Sequence, residues 1–436
     1  MIRSNVVAFP RRLCAARNQS LIWLLFMVII LAGRVNGAEA APGSVNVRDF
    51  GAVGDGKAVD TEAIQKALNN VADKGGGEVR IPAGNYLTGS LVMRSHTTLR
   101  LENGAIVLGS PKRDDYPLIQ ARWEGREVQC HRALISADHA EKIAIVGEGT
   151  IEGNAQVSRL RDPRGPAVVE MIECSDVRME GITLKSTRIW TLHPTYCRDV
   201  TISKVKFETS GANGDGIDPD SCQRIVIDGC TFSTDDDNIA IKSGKGQEGV
   251  KIGRPCEDIS ITNCTFLKGW AAICFGSELS GGIRKVRISN CTFKQGKAAL
   301  FLKLRPARGG YVQDISADNL VVETTALLVT DTNFSHLVDP QGVPGQEGQT
   351  QFSNIRISNV QINSKRLVDV KGMADMPLDG LEIKGVKGTC KEGSLIQNAK
   401  NVVFKDIILD GISGPAYSID NVEGTGLDGT VHVKKR

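Results

Sequence analysis

The chain has 436 residues, with 53 Lys and Arg against 50 Asp and Glu, a formal net charge of +3, and only 5% aromatic residues. The positive excess lies in the first 40 residues: taking away their five arginines and Glu39 leaves 48 basic against 49 acidic residues, a net of −1. No basic stripe remains to hold nucleic acid, and beyond residue 40 no stretch is long and apolar enough to span a bilayer.

Residues 1–40 read as an export signal. Arg3, Arg11, Arg12 and Arg17 give a basic start, Leu21 to Leu31 is an apolar run short for a membrane span, and Ala38-Glu39-Ala40 offers a cleavage site before Ala41. This predicts a secreted or periplasmic protein without membrane attachment; the alternative is an uncleaved N-terminal anchor. Residues 41–436 read as one domain, expected to work as a monomer.

After Asp60, the segment from Thr61 places Ala63, Ile64, Ala67, Leu68 and Val71 on one apolar face. That spacing predicts a short helix with Asp60 as its N-cap. From Glu78 onward the pattern changes to strands. An apolar-x-apolar-x-(Asn/Asp/Gly)-apolar-x-apolar phrase recurs, clearest at Ile225–Phe232, Ile259–Phe266 and Val286–Phe293. Looser copies begin at Ile143, Val177, Val200, Ile315, Ile355, Leu381 and Val402. Alternation at period two means strand, the Asn or Gly step means bend, and a recurring interval without helices means one coil per repeat. The expected fold is all-β, a single-stranded parallel β-helix, with the short helix capping its open N-terminal end.

Stacked coils predict stacked side chains. Cys230, Cys264 and Cys291 fall at the same point of the phrase and are expected as buried free thiols, with Asn263 and Asn290 in a ladder at the bend. A Cys197–Cys222 bridge is compatible with the spacing, which does not settle it. Gln341 to Gln351 reads as a polar surface loop.

Two acidic clusters carry the chemistry. Gly214-Asp215-Gly216-Ile217-Asp218 is followed by Asp235-Asp236-Asp237, with Asp236 21 residues after Asp215, close to one repeat. Neighbouring coils lie about 4.8 Å apart, so Asp215 would crowd against Asp236 and Asp237. Crowded carboxyls cannot all ionise cheaply; one keeps its proton and can act as an acid while another acts as a base. That pairing is the equipment of a glycoside hydrolase. The same residues also suit turns or a Ca²⁺ site, the latter pointing to a polysaccharide lyase.

Asn213 to Gly310 resembles glycoside hydrolase family 28, the polygalacturonase family of right-handed parallel β-helices. The matching strings are N-G-D-G-I-D-P-D-S-C (213–222), D-D-N-I-A-I-K-S-G (236–244), F-G-S-E-L-S-G-G (275–282) and A-R-G-G (307–310). Trp190 to Pro194 and Phe50 to Gly56 also look like the family. The resemblance implies an exported hydrolase of pectin-type polysaccharide, inverting and without metal or cofactor, in which Asp236 is the general acid and Asp215 and Asp237 activate water. It implies Lys303 as a substrate-binding cation.

Two positions depart from the family pattern. Trp270-Ala271-Ala272 stands where G-H-G is common, and Phe301-Leu302-Lys303 where R-I-K is common. Arg305 or Arg308 could replace the lost arginine. Trp270 could stack on a sugar face, suiting a neutral or deoxy sugar or a rhamnogalacturonan backbone, or could pack at a coil corner. His193 and Lys242 are further cleft candidates, each with a structural alternative, and Glu278 either anchors a loop or meets substrate. Losing the family's His and Arg also leaves a non-catalytic pectin-binding reading open.

Overall fold

The repeated phrase stacks on itself. Ile225 pairs in parallel register with Ile259 and then Val286, while Thr231, Thr265 and Thr292 pair at the far end of the phrase. Every such pairing brings a side chain over its equivalent one coil away. Phe207, Phe232, Phe266 and Phe293 therefore form a continuous stack, with ring centroids 4.8, 5.0 and 4.8 Å apart and nearly parallel planes. That repeat is the interstrand spacing of a sheet. The chain is a right-handed parallel β-helix whose parallel pairings continue from Ser44 to Thr425.

The computed structural model describes residues 43–158, 163–187, 189–331 and 341–427. The predicted export signal lies outside the described residues. Isoleucine, valine and leucine ladders fill the interior, as the low aromatic content requires.

The bends explain the Asn positions. Asn263, Asn290 and Asn319 all adopt left-handed backbone with φ of 55°, 56° and 54°, a conformation Asn tolerates better than most residues. Their amides reach across coils: Asn263 donates to Asp228 at 2.7 Å and Asn319 to Asn290 at 2.7 Å. Cys230, Cys264 and Cys291 are buried and free as expected. Cys197 and Cys222 are free too, so the bridge compatible with their spacing is not formed. Instead the Cys197 amide donates to the Cys222 sulfur at 3.3 Å, and each thiol donates to a backbone carbonyl.

The capping helix runs Thr61–Asp73 and buries Ile64, Ala67, Leu68 and Val71 against the first coils. Asp60 does not cap it through its side chain. Its carboxylate turns back to accept from the Val53 and Gly54 amides at 2.7 and 3.0 Å, tying down the preceding loop. The segment after residue 340 is not purely a polar surface loop: Val343 is buried, and its amide donates to Ala307 at 2.9 Å. One antiparallel hairpin, Leu118–Trp123 with Arg126–His131, stands outside the coil ladder.

Candidate active site

One sheet of the helix carries the site. It runs through Ile135–Asp138, Val169–Ile172 and Leu192–Thr195, passes isolated bridges at Ile217 and Asp220, and continues through Ile239–Ile241, Ile273–Phe275 and Leu300–Lys303. Inward residues of this sheet form the ladder Ile135, Val169, Leu192, Ile217, Ile239, Ile273 and Leu300. Period two then forces Glu170, His193 and Asp218 outward.

Just before this row, the chain brings the three acids together. Ile217 pairs with Ile239, which sets Asp215 beside Asp237 on the next coil and Asp236 next to both. Gly216 makes the approach feasible, because a Cβ there would sit 2.4 Å from the Asn238 carbonyl. One carboxylate oxygen from each of Asp215, Asp236 and Asp237 lies within 4.8 Å of the others. Asp215 and Asp237 are buried, and Asp236 is the partly exposed member.

Each acid has its own surroundings. Asp236 is fixed by the Asn213 amide at 2.8 Å and the Asp237 amide at 3.0 Å, and its carbonyl accepts from Trp270 at 3.0 Å. Asp237 accepts from the Lys303 ammonium at 2.5 Å. Burial pulls the Lys303 pKa down, but the charge of Asp237 outweighs it, so the net shift is upward and the lysine stays protonated. Burial pushes the Asp215 carboxyl well above the usual range, and the nearby charges of Asp218, Asp236 and Asp237 push the same way. Burial and crowding thus favour the protonated form of Asp215. Lys303, the substrate-binding cation the sequence suggested, is paired with Asp237 beside the acids.

A wall of protein covers the outward ladder on the N-terminal side of the acids. Trp123 of the hairpin packs on Trp190 with centroids 4.3 Å apart, and Arg122 pairs with Asp220 at 3.2 Å, both side chains almost fully buried. Arg164 reaches over Trp123 and grips Glu170 through both terminal nitrogens at 3.0 Å. Backbone at Lys245 donates to Gly125, and the Glu127 amide to Glu248, closing the hairpin onto the helix Gly246–Ile252.

This wall corrects two sequence expectations. His193 does not line an open cleft: it is 0% exposed, with Nδ1 3.1 Å from Glu170 and Nε2 3.2 Å from the Thr195 hydroxyl. Lys242 is 4% exposed, and its ammonium sits 3.0 Å from Glu278, 3.5 Å from Asp218 and 4.5 Å from the centre of the Trp190 ring. Both are structural partners of the wall. Glu278 is held far below the usual carboxylate range: Lys242, followed by Arg308 and Arg305, overcomes the opposing effect of burial. That makes it an anchor of this layer. Arg308 is 3% exposed, with Nε donating to the Ser277 carbonyl at 3.2 Å, so it too is buried in this layer. Arg305 is half-buried and lies in the field of Glu278 and Arg308. Asp235 is structural, accepting from the Gly211 amide at 2.8 Å and pairing with Lys268.

On the C-terminal side the picture reverses. Ala240, Ala271, Cys274, Ala298, Phe301, Ala326 and Val329 form a second apolar cluster on the outward face of the site sheet. Ala271 and Phe301 stand at the positions of the family's His and Arg, so the lost polar groups are replaced by a dry patch. Trp270 packs edge-on against Phe301 at 4.8 Å and remains 37% exposed. Lys297, which sequence reasoning missed, lies over both rings.

The three acids could also hold a hard cation, since their oxygens span a distance suited to one ion. The Lys303 ammonium already places a positive charge on Asp237 and would oppose a divalent one.

Comparison with known proteins agrees with the site. The model of glycosyl hydrolases family 28 matches residues 73–406. The chain belongs to this family. Being a family 28 member, it is a glycosidase of polygalacturonase-like type. A probable polygalacturonase of Vitis vinifera is 30% identical over 394 residues, covering 85% of this chain and 78% of that protein. An exo-poly-alpha-D-galacturonosidase of Dickeya chrysanthemi is 28% identical, covering 84% and 72%. Among solved structures, a hyperthermoactive exopolygalacturonase from Thermotoga maritima superposes with a TM-score of 0.71 at 25% identity, covering 88% of this chain and 92% of that one.

Proposed function

We propose that this family 28 enzyme hydrolyses galacturonate chains of pectin from an end, with Asp236 as general acid and Asp237 as base. The observation that carries the reading is a three-carboxyl cluster with a buried layer of protein packed beside it on one side. A wall beside the acids leaves room for a chain end rather than for a chain running through. Asp236, the partly exposed carboxyl, is placed to protonate the glycosidic oxygen. One water with two hydrogen bonds of ordinary length reaches acceptors about 4.5 Å apart, which suits a water held between Asp215 and Asp237. Asp237 takes its proton and Asp215 orients it. Polygalacturonate is the proposed substrate because the relatives are named for it. Export is part of the proposal, resting on the pattern of residues 1–40 and on the extracellular location of such polymers; fractionation of producing cells tests it.

Product analysis on polygalacturonate tests end-on cleavage. Mono- or digalacturonate is expected from the first time points, with viscosity falling slowly relative to new reducing ends. A ladder of oligomers would mean internal cleavage, and no product on any pectic backbone would favour the non-catalytic reading.

Stereochemistry needs its own measurement. One oxygen from each acid lies within 4.8 Å of the others, which suits either a water held between two carboxyls or direct attack by one of them. The bridging-water argument favours inversion. Proton NMR of the first product is expected to show the inverted anomer before mutarotation, and the retained anomer would make Asp237 or Asp215 a nucleophile. Chelation with EDTA is expected to leave the rate unchanged; loss of activity restored by Ca²⁺ would support a metal-dependent mechanism.

A further inference from the structure

The outward apolar cluster has a roof. Phe301 and Cys274 point away from the helix interior, yet both are 0% exposed. Trp270 and the ammonium groups of Lys297 and Lys303 lie against Phe301. The Lys297 ammonium lies 4.8 Å from the centre of the Trp270 ring and 4.8 Å from that of Phe301, and the Lys303 ammonium lies 5.4 Å from Trp270. Two cations thus crowd one half-exposed indole immediately beside the acids.

Their charges are used differently. Lys303 is 12% exposed and bound to Asp237, whereas Lys297 is 40% exposed and makes a looser 3.2 Å contact with Asp331. An ammonium has three donors, and a single carboxylate contact does not exhaust them. Position matters too. The Trp270 amide donates to the Asp236 carbonyl at 3.0 Å, and the Lys297 amide donates to the Trp270 carbonyl at 2.7 Å. Asp236, Trp270 and Lys297 therefore form one row across three coils, running from the acid toward the C-terminal coils.

We propose that Trp270 and Lys297 form a uronate subsite in place of the family's His and Arg, with Lys297 as the specificity-determining residue. The inference rests on the pectic-hydrolase reading and extends it to the sugar beside the scissile bond. The exposed indole receives the C–H face of a pyranose, and the Lys297 ammonium pairs with the carboxylate that the sugar carries at its edge. An indole alone would suit a neutral or deoxy sugar. The adjoining cation changes that preference to a free acid and predicts discrimination against the methyl ester, which keeps the shape and loses the charge.

The test uses binding, so that it does not depend on turnover. Trigalacturonate and its methyl ester are titrated by calorimetry into the full-length Asp236→Asn protein, and into the same protein carrying Lys297→Gln, Lys297→Arg or Trp270→Ala. A charge-assisted hydrogen bond lost from the site predicts binding of the acid about tenfold weaker or more with Lys297→Gln. The ester should change less than about twofold, and Lys297→Arg should restore the preference for the acid. Trp270→Ala should weaken both ligands together. Unchanged acid binding in Lys297→Gln, an equal loss for both ligands in that variant, or no binding of trigalacturonate to Asp236→Asn would each overturn the proposal. If the unmodified enzyme cleaves polygalacturonate while Lys297→Gln changes nothing, the subsite fails and the hydrolase reading stands. If Lys297-dependent binding is seen without turnover, the hydrolase reading fails and the subsite stands.

Discussion

Asp236→Asn is expected to lower kcat on polygalacturonate by about 10²–10⁴-fold, the usual range for removing a general acid. Both Asp236 oxygens accept from backbone amides, so the NH2 of the substitution faces one of those N–H groups and the melting temperature should fall modestly while the fold is kept. The loss should depend on the leaving group. An aryl galacturonide with a nitrophenol leaving group needs little protonation, and on it Asp236→Asn should recover most of the missing rate. Asp237→Asn removes the base and should stay impaired on both substrates. The competing assignment comes from burial: Asp215 is the member whose pKa burial raises most clearly, so it too could be the proton donor. If the aryl substrate rescues Asp215→Asn and not Asp236→Asn, the acid is Asp215.

The acids were legible because the coil length is legible. Ile217 opposite Ile239 fixes an offset of 22 residues, which carries Asp215 onto Asp237. The aromatic and cysteine stacks follow from the same arithmetic. Lys297 could have been found this way, since Ile273 opposite Leu300 implies an offset that sets Trp270 beside Lys297. Alternation along Ile239 to Lys242 is also legible in the sequence, and it turns Lys242 to the outer face. Outward did not mean accessible, because the hairpin Leu118–Trp123 with Arg126–His131 folds over that face. The contact that seats it, Arg122 to Asp220, joins residues far apart in sequence, and Arg122 belongs to no repeating pattern. An insertion in a solenoid carries no register of its own, so its docking surface is set by tertiary packing alone. Asp60 shows the same limit on a smaller scale: N-cap chemistry was read from its neighbours in sequence, and a loop folded back to take its carboxylate instead.

Lys242→Met should destabilise the layer behind the acids by about 3–5 kcal/mol, the range for leaving a buried charge without its partner. The reason is Glu278, which is buried, ionised and bound to Lys242 at 3.0 Å. Adding Glu278→Gln to Lys242→Met should recover much of the loss, because the uncompensated charge is then gone. A stacked-coil protein need not unfold in one step, so the readout is hydrogen exchange at the amides of Leu192–Thr195 and Ile239–Ile241, which reports local opening. Asp218 has the opposite sign. Burial raises its pKa to about 8 even though Lys242 works against the shift. An unfolded Asp ionises near about 3.9, so above that pH the unfolded chain releases a proton that the folded chain retains. The stability linked to this proton is fully present below that value and is lost as pH rises through about 8. Asp218→Asn cannot ionise and should remove this dependence, so its melting temperature should fall less than that of the unmodified protein between pH 5 and pH 8. Glu278 contributes the other limb, since its depressed pKa gives stability that is present above the unfolded value of about 4.3 and is lost on acidification below it. An Asp218→Asn protein whose melting temperature falls as steeply toward pH 8 as the unmodified protein's would show that Asp218 is already ionised beside Lys242, and that the proton behind the acids resides elsewhere.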